Sequence, residues 1–185
     1  MENGMMDLIQ SEMSTRKNLI SEIENELQNY IYTACVIATE TINHGKKIIL
    51  FGNGNNALNA RYIATKLIGG YDADKRGLPA ICLDTTISNE EDRAFDIQIE
   101  ALAKEGDLLI GISKSGNSKN VLRALSLGKH MECRTVGLSG YDGGVMSEFC
   151  DVNIVVPSDD ISCIFEAHVM IGNTIVHALK DSLNL

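Results

Sequence analysis

The stretch Gly111-Ile-Ser-Lys-Ser-Gly-Asn-Ser118 stands directly after the apolar run Asp107-Leu-Leu-Ile110 and directly before the helical pattern Val121-Leu-Arg-Ala-Leu125. A buried strand, a tight hydroxyl-rich turn and a helix start, in that order, make an anion cradle. Backbone N–H groups converge at the start of the helix, its dipole favours negative charge, and Ser113, Ser115 and Ser118 add hydroxyl donors. Gly116 lets the backbone come close to a ligand, and Asn117 sits in the same turn. The guest this chemistry suits is a phosphate monoester. Neither a Walker lysine nor a G-x-G-x-x-G pattern accompanies the turn, which argues against a nucleotide. Serine and asparagine also favour plain N-capped turns that bind nothing, so this stretch alone leaves both readings open.

A second turn of the same construction lies upstream. Lys46-Lys-Ile-Ile-Leu-Phe51 is a short apolar run that ends in Gly52-Asn-Gly-Asn-Asn56, and a helical pattern follows through Ala60, Ile63, Ala64 and Leu67. Two such turns in an alternating α/β chain bring two helix N-termini to the carboxyl edge of one sheet, where such folds bind ligands.

Working outward, strands are predicted at 46–51, 79–83, 107–112, 134–138 and 152–156, and helices at 57–68, 91–104, 118–130, 143–149 and 161–182. Short apolar strands alternating with helices predict a three-layer α/β sandwich around a five-stranded parallel sheet covered on both faces. Gly69-Gly-Tyr71 with Lys75-Arg-Gly-Leu-Pro79 forms a loop, and Ser139-Gly-Tyr-Asp-Gly-Gly144 is a third strand-to-helix turn. Residues 1–45 are predicted helical, because Leu8, Ile9, Met13, Leu19, Ile20, Ile23, Leu27, Ile31, Ala34, Ala38 and Ile42 recur mostly at steps of three and four. Asn43-His-Gly45 supplies the stop. This segment is longer than one domain needs, and its surplus apolar face is expected to pack on another subunit. The 185 residues make a single domain, 1–185.

Composition excludes several functions. The net charge is −9 with no basic cluster, which argues against nucleic acid as a direct partner. No apolar stretch approaches the roughly 20 residues of a membrane span, and no signal-peptide pattern opens the chain, so a cytoplasmic protein is expected. The five cysteines, Cys35, Cys82, Cys133, Cys150 and Cys163, are scattered without metal-ligand spacing and are expected to be reduced and packed in the core.

Taken in order, Gly52-Asn-Gly54, Gly106-Asp107 leading into the 111–118 turn, Leu138-Ser-Gly-x-Asp-Gly-Gly144, Val156-Pro-Ser158 and Glu166-x-His168 resemble the sugar isomerase (SIS) domain family, in its phosphoheptose isomerase branch. The resemblance covers essentially the whole chain. It implies a five-stranded parallel sandwich, a homotetramer with sites at subunit interfaces, and a ligand of the sedoheptulose 7-phosphate or heptose 7-phosphate class. Family enzymes isomerise that ketose to the aldose by moving a proton between C1 and C2 through an enediol, for bacterial heptose synthesis, and many hold zinc. Carried over, Ser113, Ser115, Ser118, Asn53 and Asn117 would bind phosphate, and Asn55 and Asn56 the sugar.

At the positions of the family's chemistry the resemblance implies substitution. After Gly-Asn-Gly the family pattern is Gly-Ser-x-x-Asp-Ala-x-His-x-x-x-Glu; here Asn55, Asn56, Asn59, Tyr62 and Lys66 stand at its defined positions. In the last helix Phe165 replaces a glutamine and Asn173 a catalytic histidine, and the segment from 84 to 100 is shorter than in the family. Phenol, ammonium, phenyl and carboxamide thus occupy the catalytic and zinc positions. Zinc prefers imidazole, thiolate and carboxylate, and neither Phe165 nor Asn173 takes up a proton at neutral pH. No metal or other cofactor is expected. A replacement base would come from Lys66, if burial depressed its pKa, or from Glu166 or His168; Lys66 is equally read as a solvated surface lysine. Tyr62 is a donor or a packing residue, His177 structural or interfacial, and Lys114 an extra charge on the phosphate or an outward-facing lysine. Phe165 narrows the pocket.

Three functions follow. One is a sugar-phosphate-binding protein without turnover, acting in a heptose or capsule pathway. Another is an isomerase with rearranged catalytic residues. The last is a protein-interaction module, since Asn59, Asn173 and the turn around Tyr141 resemble a relative that binds the replication initiator DnaA.

Overall fold

The computed structural model describes residues 2–69, 77–87 and 91–185. Two helices open the chain, α1 (Glu2–Glu26) and α2 (Gln28–Asn43). The turn after α2 runs through Gly45 at φ +71°, the left-handed geometry that glycine adopts without strain. Five strands follow, β1 (Ile48–Gly52), β2 (Ala80–Cys82), β3 (Leu108–Ile112), β4 (Arg134–Ser139) and β5 (Val152–Val155). Between and after them lie α3 (Asn55–Ile68), α4 (Asp96–Leu102), α5 (Lys119–His130) and α6 (Ile161–Ser182).

All strands are parallel, in the order β2-β1-β3-β4-β5. Successive strand side chains point to opposite faces, so a strand covered on both sides is apolar at every position. Ile48 and Leu50 enter the core shared with α1, α2, α3 and α6, while Ile49 and Phe51 enter the core under α4 and α5. In the second core the Phe51 and Phe95 rings sit 5.1 Å apart. At the opposite edge of the sheet the buried Asp107 accepts from the Lys47 and Lys104 backbone amides at 3.0 and 2.8 Å and pairs with the Lys47 ammonium. That aspartate registers β3 against β1, far from the turns that follow the strands.

The predicted architecture is the one found, with two local corrections. The helix expected over 143–149 shrinks to a 3-10 turn at Met146–Phe149, because Gly143 and Gly144 both take positive φ and Asp142 caps the Gly144 amide. The helix expected over 91–104 breaks into a 3-10 turn, Glu91–Arg93, and α4. There the Gln98 side chain donates to the Ala94 and Asp84 carbonyls. The loop predicted over 69–79 falls mostly on residues outside those described.

By length and composition α6 could span a membrane, contrary to the expectation from apolar runs. Its apolar stripe of Ile164, Ala167, Ile171, Ile175 and Leu179 is instead buried in the first core. The cysteines are free thiols, with Cys133, Cys150 and Cys163 buried and Cys35 and Cys82 half-buried. Burial pushes the thiol of Cys150 up to about 12 and that of Cys133 to about 11, which keeps both protonated.

Candidate functional site

Adjacent strands β1 and β3 lead their chains in opposite directions along the sheet, and the space above their carboxyl ends is the switch point of the fold. A cleft of about 270 Å³ opens there, lined by Asn53, Gly54, Asn55, Asn56, Lys114, Ser115, Ser118, Ile161 and Phe165. One wall is the turn after β1, another the turn after β3, and the first turn of α6 closes the third side.

Of the three helices that start at the cleft, α3 and α5 lack a side-chain cap. Neither Gly54 at the head of α3 nor Ser118 at the head of α5 supplies one. By contrast Asp160 caps α6, accepting from the Cys163 amide at 2.8 Å, and the bonds from Cys163 and Ser162 hold its carboxyl below the usual range. The α6 terminus therefore already carries its own anion. In the first turn of α3 the Asn56 and Ala57 amides bond the Asn53 and Gly54 carbonyls, and in that of α5 the Val121 amide bonds the Asn120 side chain; what both ends offer a guest is the positive end of a helix dipole.

The expected phosphate ligands divide in two. Ser115, Ser118 and Asn53 line the cleft. Ser113 does not: it is fully buried, and its hydroxyl donates to Ser118 Oγ at 2.9 Å. That bond fills an acceptor site of Ser118 and leaves the Ser118 proton to point at a ligand. Asn117 does not line the cleft either. Its amide donates to the Ser115 carbonyl at 3.0 Å and accepts from the Val145 amide at 3.2 Å, pinning the turn to the neighbouring one after β4. Gly116, at φ +64°, sits so tightly on that neighbour that a Cβ would lie 1.8 Å from the Gly143 carbonyl oxygen. Lys114 is exposed and lines the cleft, and Asn55 and Asn56 form the wall opposite.

The positions expected to carry chemistry lie elsewhere. Tyr62, 39% exposed, and Lys66 sit on the outer side of α3, the ammonium 5.7 Å from the ring centroid. Of the family's catalytic and zinc positions only Phe165 reaches the cleft; Asn173, half-buried, is two helical turns further along α6. His177 is exposed.

Glu166 and His168, the two further candidates for a replacement base, do not line the cleft. Both Glu166 carboxylate oxygens are gripped by Arg16 of α1, at 2.7 and 3.0 Å, beside a separate cavity with Leu19, Ile23 and Met170. His168 is fully buried, donating from Nε2 to the Ser139 carbonyl at 3.0 Å. Its Nδ1 finds no partner among the described residues, and burial lowers its pKa to about 4. It is a neutral clamp between α6 and the end of β4.

Two residues of this region carried no sequence signal that singled them out. Ile161 forms part of the wall, and Asn120 exchanges amide hydrogen bonds with Asn53.

The arrangement can hold a phosphate by two hydroxyls, the positive end of the α5 dipole and a nearby ammonium. Among the described residues that line the cleft, Lys114 is the one titratable side chain, and no imidazole or carboxylate faces the guest. The donor set does not fit zinc either: the four family positions supply a phenol, an ammonium, a phenyl and a carboxamide. No group of three or more His, Cys, Asp or Glu side chains converges among the described residues.

Comparison with known proteins agrees with this geometry. The SIS domain model matches residues 13–140. The phosphoheptose isomerase of Aliarcobacter butzleri is 43% identical over 97% of this chain and 100% of its own length, and that of Nitratiruptor sp. 41% identical over 96% and 100%. The structure of a phosphoheptose isomerase from Francisella tularensis superposes with a TM-score of 0.89 at 28% identity, covering 95% of this chain and 98% of that one. Sheet order, cleft and full-length similarity converge, and the chain belongs to the SIS domain family, in its phosphoheptose isomerase branch.

Proposed function

We propose that this chain binds a sugar phosphate of the sedoheptulose 7-phosphate class and has lost the ordinary isomerisation. The observation that carries the reading is the division of the cleft. Its phosphate wall keeps Ser115, Ser118 and the α5 terminus, whose N-cap residue makes no side-chain bond, while the rest of its described lining, Asn55 and Asn56 opposite and Ile161 and Phe165 beside them, brings no imidazole or carboxylate. Moving a proton between C1 and C2 needs a positioned base and acid, and loss of a general base alone lowers rate by about two to four orders of magnitude. No zinc or other cofactor takes part in this reading.

The protein is cytoplasmic and a homotetramer in this account. Met5, Met6, Leu8, Ile9 and Met13 are 47–67% exposed along α1, an apolar face that another copy would cover. Light scattering should then give four times the 20.2 kDa chain mass.

Isothermal titration with sedoheptulose 7-phosphate tests the binding claim. Saturable binding that weakens at least tenfold in Ser118→Ala supports it, and absence of binding to the wild-type protein overturns it.

A second reading, an active isomerase with rearranged catalytic residues, has its own support in the 43% identity to a phosphoheptose isomerase. It requires turnover that disappears in Lys66→Ala.

A further inference from the structure

Asn53 and Asn120 are 67 residues apart in sequence, yet their amides bond each other twice. Asn53 Nδ2 donates to Asn120 Oδ1 at 2.8 Å, and Asn120 Nδ2 donates to Asn53 Oδ1 at 2.9 Å. Each is tied to its own helix start. The Asn53 carbonyl accepts the Asn56 amide at 2.9 Å, and Asn120 Oδ1 also accepts the Val121 amide at 2.9 Å. Asn120 is buried, 4% exposed, in the first turn of α5, while Asn53 lines the cleft. The strands beneath are paired to their ends, Gly52 opposite Ile112, so the amide pair continues the sheet's connection one step beyond its last hydrogen bonds.

We infer that Asn120 is a positioning residue whose amide clasp with Asn53 sets the spacing between the two turns, and so fixes the sugar wall of the cleft relative to its phosphate wall. This rests on the binding function proposed above. The physical argument is that a buried amide, Asn120, bonded at both ends to the half-buried amide of Asn53 holds a single relative orientation, and removing it leaves the Asn53 donor and acceptor without that partner. Asn120 lies below the cleft and is not among the residues lining it, so its effect passes through Asn53. With the Asn53 amide committed to Asn120, this proposal leaves the phosphate to Ser115 and Ser118 of the β3–α5 turn, so inorganic phosphate needs that turn alone and a sugar phosphate needs both walls at the right separation.

The test is a double-mutant cycle on Asn120→Ala and Asn53→Ala, read by titration with sedoheptulose 7-phosphate and, separately, inorganic phosphate. The expected result is about a tenfold loss of sugar-phosphate affinity in Asn120→Ala with phosphate affinity changed less than twofold. In the Asn53→Ala background, Asn120→Ala should add no further loss. Equal losses for both ligands, additive losses, or no loss at all would each overturn the clasp. If the wild-type protein binds neither compound, the binding function fails and the clasp is decided by hydrogen exchange. Faster exchange of the Asn53 side-chain amide and of the Asn55–Asn56 backbone in Asn120→Ala sustains it; unchanged exchange refutes it.

Discussion

The turn after β3 and the opposing faces of α3 and α6 lie at one edge of one sheet, yet they present unlike chemistry. In the turn the serines and the asparagine hold one another in place. Ser113 supports Ser118, Asn117 ties Ser115 to Val145, and Gly116 packs on the Gly143 carbonyl. On the third side of the cleft α6 presents Phe165 and Ile161, and Tyr62 pairs with Lys66 on the outside of α3. The difference teaches that binding and chemistry are separable layers of this fold. An anion site made of backbone and hydroxyls depends on a turn geometry that several packing contacts fix together. A proton-transfer site depends on a few side chains that can be exchanged with the scaffold intact.

The contrast breaks most visibly if chemistry can be put back. In the tetramer proposed above, a neighbouring subunit would complete the cleft, which within one chain only Phe165 of the four catalytic and zinc positions reaches. Tyr62→His, Lys66→Glu, Phe165→Gln and Asn173→His restore the family's residues at those four positions and, supplied with zinc, should there raise isomerase turnover at least about a hundredfold over the parent. An aldose-formation assay reads the outcome; a parent already as fast as the variant would erase the distinction between the two regions. Next comes the rigidity of the turn. Gly116→Ala places a Cβ on the Gly143 carbonyl in a left-handed backbone, and should abolish sugar-phosphate binding and cost roughly 1–3 kcal/mol in denaturant unfolding. Smaller still is the support layer. Ser113→Ala leaves Ser118 without its donor and should weaken binding by about threefold, against the tenfold or more expected of Ser118→Ala.

The last prediction concerns pH. His168 carries a pKa of about 4 in the fold against 6.5 in the open chain, so the unfolded state binds the proton more readily between those values. Its contribution is complete above pH 6.5 and is lost as pH falls toward 4, up to about 3 kcal/mol. Urea unfolding of wild type and His168→Gln across this range should converge at low pH; a constant difference would place the histidine's role elsewhere.

Much of this was legible in the sequence, for identifiable reasons. The strands are buried on both faces, so they stand out as unbroken apolar runs such as Ile48-Ile49-Leu50-Phe51, and the turns announce themselves by serine, asparagine and glycine. Which turn residue faces the guest was not legible. Ser113, Ser115 and Ser118 are alike as letters, and only the twist of the turn sends Ser113 inward to brace Ser118. The helix face seen by Glu166 was equally hidden, because Arg16, its partner, arrives from 150 residues away. Asn120 gave no signal for the same reason: an asparagine near a helix start is unremarkable until its partner on another strand's turn is known.

The central claim, retained binding without the ordinary proton transfer, is tested most directly by proton NMR of sedoheptulose 7-phosphate in heavy water with micromolar protein, with and without zinc. The account predicts ligand lines broadened by binding, with the C1 proton signals undiminished over many hours and no aldose resonance. Deuterium entering C1, or the aldose appearing, would contradict it and return the chain to the working isomerases.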